Sequence, residues 1–225
     1  MKVTLVRATE NPIDLIATAA SICYGKDEAK NPKKLVEKVY KNGHLSCMEH
    51  VYFTFKIEGI SRACSHQLVR HRHCSFTQRS QRYCSEDGNR YVTPPSLEFK
   101  EDSMDSVVYF NSVNESFYDY KKLCKTAKPE DARYVLTNAT CTDLFVSMNL
   151  RELTHLSNER LCSKAQWEIR RLVKEMIDLV NQTTNNEFQY MLVPKCEIKH
   201  PYNFCTEDKS CGRHKCLSEL IGGAD

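Results

Sequence analysis

The sequence predicts an α+β fold, and three observations carry that reading. The run "VYFTFKIEG" alternates cleanly between apolar and polar residues, as a half-buried strand does. Two Asn-Pro pairs, at 11–12 and 31–32, have the form of helix starts, with Asn capping and Pro in the first turn. Late in the chain, Trp167, Ile169, Leu172, Val173, Met176 and Val180 recur at helical spacing.

Taken in order, Lys2 to Ala8 is predicted as a short strand, with Val3, Leu5 and Arg7 in line on one face. A helix follows each Asn-Pro pair, and Gly43 closes the second. In the alternating strand, Val51, Phe53, Phe55 and Ile57 form the buried face. Ser61 can cap a helix running to about Arg70, which would set Arg62, His66 and Arg70 on one side. Residues 71–90 lack periodicity and read as a loop, and "YVTPP" reads as a short strand stopped by prolines. Ser103 to Lys125 is predicted as a long helix and Glu130 to Leu136 as a short one, while Cys141 to Asn149 fits strand or helix. Helices are expected over 151–162 and 165–180, then an irregular tail after Pro194. Without internal repeats or low-complexity linkers, the expectation is one domain over residues 1–195 and a Cys-rich tail over 196–225.

A net charge of +3 argues against a dedicated polyanion binder. The first ten residues carry charges and no apolar signal core, and no run approaches the ~18 apolar residues of a membrane span. The expectation is a cytoplasmic protein with no membrane and no nucleic-acid partner. Twelve cysteines in such a chain read as reduced thiols.

The chemistry concentrates in "RHRHCSFTQRSQRY", residues 70–83. Six of the thirteen arginines fall between Lys56 and Lys100, a span with no lysine inside it. A merely solvated basic face would mix the two cations. Arginine alone offers a planar, permanently charged fork suited to phosphate or to a flat polar ring. Ser75, Thr77, Gln78, Ser80 and Gln81 add neutral donors and acceptors. Four readings are open: a solvated loop, a nucleic-acid-binding module using the Arg70–Arg90 loop, a metal on His66, His71 and His73, and a mononucleotide pocket. Local composition favours the pocket. A second arginine group, Arg133, Arg151 and Arg160, lies downstream, where local pairs with Glu152 or Glu159 are the plain alternative.

The stretch resembles the signature of the flavin-dependent thymidylate synthases, R-H-R-x-x-S-x-N-x-x-S-x-R. Arg70, His71, Arg72, Ser75, Ser80 and Arg82 match it, and Thr77 stands in place of the usual Asn. "GHLSCMEHVYFTFKIEGISRACSHQLVRHR" and "NLRELTHLSNERLCSKAQWEIR" are similar to the segments flanking that signature in the family. The resemblance covers roughly residues 1–195 and implies a mixed α/β subunit with a central antiparallel sheet flanked by helices. It implies a homotetramer with active sites at subunit interfaces. The implied reaction is reductive methylation of dUMP to dTMP, with methylenetetrahydrofolate as one-carbon donor and NADPH as reductant through bound FAD. Position by position, it implies flavin contacts from Ser46, Arg70, His71, Arg72, Gln78, Asn149, Leu150, Arg151 and His155, with His44 near the flavin and folate. It implies nucleotide contacts from Gln67, Leu68, Val69, Arg70, Gln78, Arg79, Ser80, Gln81, Arg82, Arg133 and Arg160, with Ser80 and Arg82 at the phosphate. Arg160 is implied as the catalytic residue that activates the uracil ring, an electrostatic role like that of an oxyanion hole. Cys23 sits where relatives carry a serine near the flavin, and that role is not transferred.

In the tail, Cys196, Cys205, Cys211 and Cys216 lack a paired C-x2-C knuckle. The reading is free thiols with no metal, a zinc site being the alternative.

Overall fold

The computed structural model describes residues 1–25, 29–86, 88–98 and 103–222. Asp87, in the stretch expected to be loop, and residues 223–225 of the tail lie outside the described residues. Along the chain run β1 (Lys2–Ala8), α1 (Pro12–Ile22), α2 (Pro32–Lys41), β2 (Tyr52–Ser61), α3 (Arg62–Leu68) and β3 (Cys74–Gln78). After these come α4 (Met104–Leu123), α5 (Pro129–Ala132), β4 (Cys141–Asn149), α6 (Leu150–Arg160), α7 (Trp167–Thr183) and α8 (Leu217–Ile221). The strands form one antiparallel sheet in the order β1-β2-β4-β3, so the fold is α+β as expected.

The alternation of β2 is realised in full: Val51, Phe53, Phe55 and Ile57 are completely buried. Burying each such side chain is worth about 1.5–3 kcal/mol. β2 ends through Gly59, whose φ of 72° is open to glycine and strained for a side chain. Its N–H donates to Asp143 Oδ1 at 2.9 Å. Ser61 then caps α3 by accepting from the Cys64 N–H at 3.0 Å. Asn31 caps α2 in the same way, accepting from Lys34 N–H at 3.0 Å. Asn11 precedes α1 in a left-handed conformation and its side chain makes no capping bond, contrary to expectation. The Pro12 ring, already helical in φ, starts that helix without it.

Three further expectations are corrected. α3 stops at Leu68, so Arg70 lies beyond the helix and off the Arg62–His66 face. "YVTPP" contributes only an isolated bridge between Tyr91 and Thr140, because its prolines cannot donate to a ladder. Residues 74–78 are a strand rather than loop. β3 is five residues long, and its alternation, half-buried Cys74 and Phe76 against exposed Ser75 and Thr77, is too short to stand out within the arginine-rich stretch.

The chain divides into two compact units. The first comprises Met1–Lys2, Ile57–Arg70 and Phe76–Phe145. Its core includes Tyr91 packed edge-on against Tyr109 and Phe110, with ring centroids 6.4 and 6.2 Å apart. The second comprises Val3–Lys56, His71–Ser75 and Val146–Asp225. There α7 buries Ile169, Leu172, Val173, Met176 and Val180 as its spacing predicts. Phe188 packs edge-on to Phe53 at 6.5 Å. No helix among the described residues is long and apolar enough to cross a membrane.

Candidate active site

In the first unit the arginines sort into two kinds. Three are neutralised by carboxylates. Arg90 makes a bidentate pair with Asp143, at 3.2 and 2.8 Å. Arg82 Nε donates to Glu130 Oε2 at 2.9 Å. Arg79 Nε lies 3.7 Å from the buried Glu86, and its Nη2 donates to Ser85 O at 2.7 Å. This pairing removes the exposed positive stripe that a nucleic-acid module would need.

The other kind lines a cavity. Arg62 and Arg133 face a space of about 310 Å³ together with His66, Gln81, Tyr134, Leu136, Thr137 and Asn138. Arg62 Nη2 donates to Arg79 O at 3.1 Å, and Arg133 Nε donates to Glu130 O at 3.0 Å. Among the described residues no ion pair reaches Arg62 or Arg133. Arg62 Nε and Thr137 Oγ1 are buried with no hydrogen-bond partner. Burial, and then the charges of Arg133 and Arg79, work against the Arg62 guanidinium and lower its pKa, with Glu86 opposing them. A half-buried cation left short of negative charge, beside orphaned donors, is a site that favours an anion. Burial in turn raises the Glu86 carboxyl pKa, against the pull of Arg79 and Arg62.

The remaining nucleotide candidates of this unit are placed less uniformly. Gln81 lines the cavity. Gln78, on β3, has its Nε2 pinned between Ser65 Oγ at 3.1 Å and Thr142 Oγ1 at 3.2 Å. Ser80 Oγ accepts from the Arg82 N–H at 3.1 Å, closing its own turn. Gln67 Nε2 donates back to Ala63 O at 3.3 Å, and Leu68 is a core side chain. Val69 caps α3, and Arg70 is exposed just beyond it. Thr77, the departure from the family signature, is exposed on β3.

In the second unit a buried relay organises the arginine of α6. His71 is 6% exposed and faces Glu152 through Nδ1 at 3.3 Å. Arg160 Nε donates to His71 Nε2 at 3.1 Å. An imidazole that accepts at Nε2 is neutral, with its proton on Nδ1 toward Glu152. Burial first, then the Arg160 charge, lowers the His71 pKa and agrees with that tautomer. No other hydrogen bond reaches Arg160 among the described residues, so both Nη groups stay available to a ligand. The plain alternative, Glu152 paired locally with an arginine, is not what the structure shows: Glu152 serves His71, 81 residues away in sequence. Nothing in the local pattern announces such a contact.

Around this relay, Asn149 caps α6, its Oδ1 accepting from the Glu152 N–H at 2.9 Å. The side chain therefore sets the helix that carries Glu152, His155 and Arg160. Leu150 is fully buried, and its N–H donates to Val51 O at 2.8 Å. Arg151 pairs with Glu49 at 2.5 Å. His155 is exposed, with its ring 5.6 Å from that of His71. His44, Ser46 and Arg72 are exposed. Cys74 is half-buried, and burial, then the Glu152 charge, pushes its thiol up to about 12, which rules it out as a thiolate nucleophile at neutral pH. Another cavity of this unit, about 970 Å³, is lined by Tyr40, Lys41, Asn158 and Tyr190 among others and by none of the expected site residues.

The family model described as thymidylate synthase complementing protein matches residues 4–184. A flavin-dependent thymidylate synthase of Geobacter sulfurreducens is 44% identical over 193 residues, spanning 80% of this chain and 82% of that protein. One from Clostridium tetani is 36% identical over 216 residues, 84% of this chain and 86% of that one. A crystal structure of the Helicobacter pylori enzyme complexed with FAD and dUMP is similar with a TM-score of 0.68 at 26% identity, covering 85% of this chain and 98% of that one. A UMP/dUMP methylase from Streptomyces cacaoi, 21% identical with a TM-score of 0.73 over 85% of this chain and 96% of that one, shares the fold. The chain belongs to the flavin-dependent thymidylate synthases.

Proposed function

We propose that this chain methylates dUMP reductively to dTMP, taking the one-carbon unit from methylenetetrahydrofolate and reducing equivalents from NADPH through bound FAD. The observation that carries the reading is Arg160, fixed through Nε on a neutral, buried His71 with both Nη groups uncommitted. Uracil C5 becomes nucleophilic as negative charge builds on N3 and O2. A guanidinium held in advance lowers the energy of that charge without reorganising, an effect worth about 3–4 kcal/mol for one such donor. His71 and Glu152 act as positioning residues: they hold the plane of Arg160 and touch no reacting atom.

The nucleotide phosphate is assigned to the Arg62–Arg133 cavity, where unpaired guanidinium charge and the Thr137 hydroxyl suit a dianion. Gln81, from the same cavity, supplies neutral recognition.

The residues present fit a flavin dinucleotide by their donor set. Arg70 and Arg72 are exposed cations for a pyrophosphate, and Ser46, His44 and His155 are exposed hydrogen-bonding groups. Ser46, Arg70, His71, Arg72, Gln78, Asn149, Leu150, Arg151 and His155 would hold it, those with engaged or buried side chains through what remains of their donors or through the backbone. FAD supplies the two-electron redox chemistry that no side chain here can perform. We assign the working form as a homotetramer in the cytoplasm, with the catalytic domain within residues 1–195. The exposed Met104, Val107 and Val108 of α4 support assembly.

The direct test is the visible spectrum of the purified protein. A yellow protein with flavin absorption that bleaches on adding NADPH, with a band shape altered by dUMP, is the expected result. A colourless protein that binds neither FAD nor dUMP, but binds RNA with steep salt dependence, would contradict it.

A further inference from the structure

We propose that the C-terminal tail holds a thiophilic divalent cation of the Zn²⁺ class on Cys196 and His214, completed by Cys205 and Cys211. This reverses the expectation of free thiols drawn from cysteine spacing.

The geometry starts from three ligand atoms. One donor each from Cys196, Glu197 and His214 lie within 4.8 Å of one another. Tetrahedral zinc takes Zn–S bonds of about 2.3 Å and Zn–N bonds of about 2.0–2.1 Å, with donors roughly 3.5 Å apart. Beside these atoms is a cavity of about 10 Å³, lined by Cys162, Cys196, Cys205, Cys211 and His214 among others. That is the size of one small sphere, about what a single ion or water fills. Sulfur and imidazole donors around such a space are the set zinc prefers over Mg²⁺ or Ca²⁺.

The rest of the tail places these donors with care. Cys205 N–H donates to Lys215 O at 2.8 Å, and Cys205 bridges Cys216 in a parallel pairing, so Cys205 and His214 are brought to one place by backbone. Glu197 Oε1 lies 3.6 Å from His214 Nε2 and 3.6 Å from Arg213 Nη1, the position of an outer carboxylate that orients a ligating imidazole. Cys216 is committed elsewhere: its sulfur caps α8 and contacts Ser218 Oγ at 3.1 Å.

Energetics supply the reason for a metal. Residues 195–222 contain one 3-10 turn and the five-residue α8 as helices, yet bury Cys196, Cys205 and Cys216. A segment this short and irregular has little apolar core of its own, and an ion would staple it. Cys162 lines the same cavity from just beyond α6, the helix that ends in Arg160. The ion would therefore clasp the tail against the end of the helix that carries the catalytic arginine.

The test uses the full-length protein, expressed in ordinary medium and purified under reducing conditions without chelator. Elemental analysis should find zinc stoichiometric with protein. Exchange for Co²⁺ should give the near-ultraviolet thiolate-to-metal absorption of a tetrahedral site. Cys196→Ser and His214→Gln should each abolish retention, while Cys216→Ser and Cys124→Ser keep it. Wild-type protein without zinc and without a Co²⁺–thiolate band would overturn the proposal whether or not the variants fold. So would full zinc retention in both Cys196→Ser and His214→Gln, or loss on Cys216→Ser with retention on Cys211→Ser.

Discussion

Replacing Arg160 by alanine is expected to lower dTMP formation by roughly 10²–10³-fold, the cost of removing one preorganised donor from a developing negative charge. Flavin content and helical circular dichroism should stay near wild type, because Arg160 is at the last turn of α6 and only half-buried. Arg160→Lys should rescue little. An ammonium cannot donate from a planar fork to His71 while offering two further groups to a ring. The substitution also leaves a second signature. The Arg160 charge is one of the causes that lower the His71 pKa, after burial. Because the folded value is below the unfolded one, the unfolded chain binds more protons between the two. Stability is then fully present above the ordinary imidazole value and is lost as pH falls from there toward the lowered folded value. In Arg160→Ala the His71 pKa should rise, and this acid-side loss should shrink. An imidazole titration followed by NMR and acid unfolding curves read both effects. Near-normal turnover in Arg160→Ala would remove this residue from the mechanism.

Arg62→Ala is expected to weaken dUMP binding about 10- to 100-fold, the range for losing a hydrogen bond to a charged group of about 1.5–3 kcal/mol. The effect should fall on KM more than on kcat, since a phosphate held equally in ground and transition states contributes uniform binding. Arg133→Ala should behave likewise. Arg90→Ala is the informative contrast. Its guanidinium is spent on Asp143, so the change should cost local stability and leave dUMP affinity little altered. Calorimetric titration of dUMP into the flavin-loaded protein measures all three. Equal losses in Arg62→Ala and Arg90→Ala would mean that ion pairing does not sort the arginines as described.

These contrasts show what the sequence can and cannot express. The buried face of β2 and the apolar stripe of α7 were readable because each follows the period of its own element. The caps at Ser61 and Asn31 were readable because cap and helix are local. The cluster of arginines was equally visible, but its division into paired and unpaired members was not. Glu86, Glu130 and Asp143 become partners only once the first unit has folded. Arg62 belonged to the arginine run yet was marked only by its helical spacing, and Thr137 carried no signal at all. The Glu152–His71–Arg160 relay shows the same limit more sharply. The family resemblance pointed to His71 through the signature and to Arg160 through the downstream segment, but for different tasks, and the Arg160–His71–Glu152 contact through the two ring nitrogens of one imidazole emerges only in three dimensions. β3 gives little signal because its alternation, Cys74 and Phe76 against Ser75 and Thr77, spans only five residues. The grouping of the tail cysteines is not legible in their spacing, because Cys205 is brought beside Cys216 by a backbone bridge rather than by nearness in sequence.

Reconstituted turnover tests the central claim most directly. The flavin-loaded protein is given dUMP, methylenetetrahydrofolate and NADPH under anaerobic conditions, and nucleotide products are separated by chromatography. The account predicts dTMP formed in step with NADPH oxidation, and none when any one of the three substrates is omitted. NADPH oxidation with no dTMP in the complete mixture, or dTMP formed without NADPH, would contradict it.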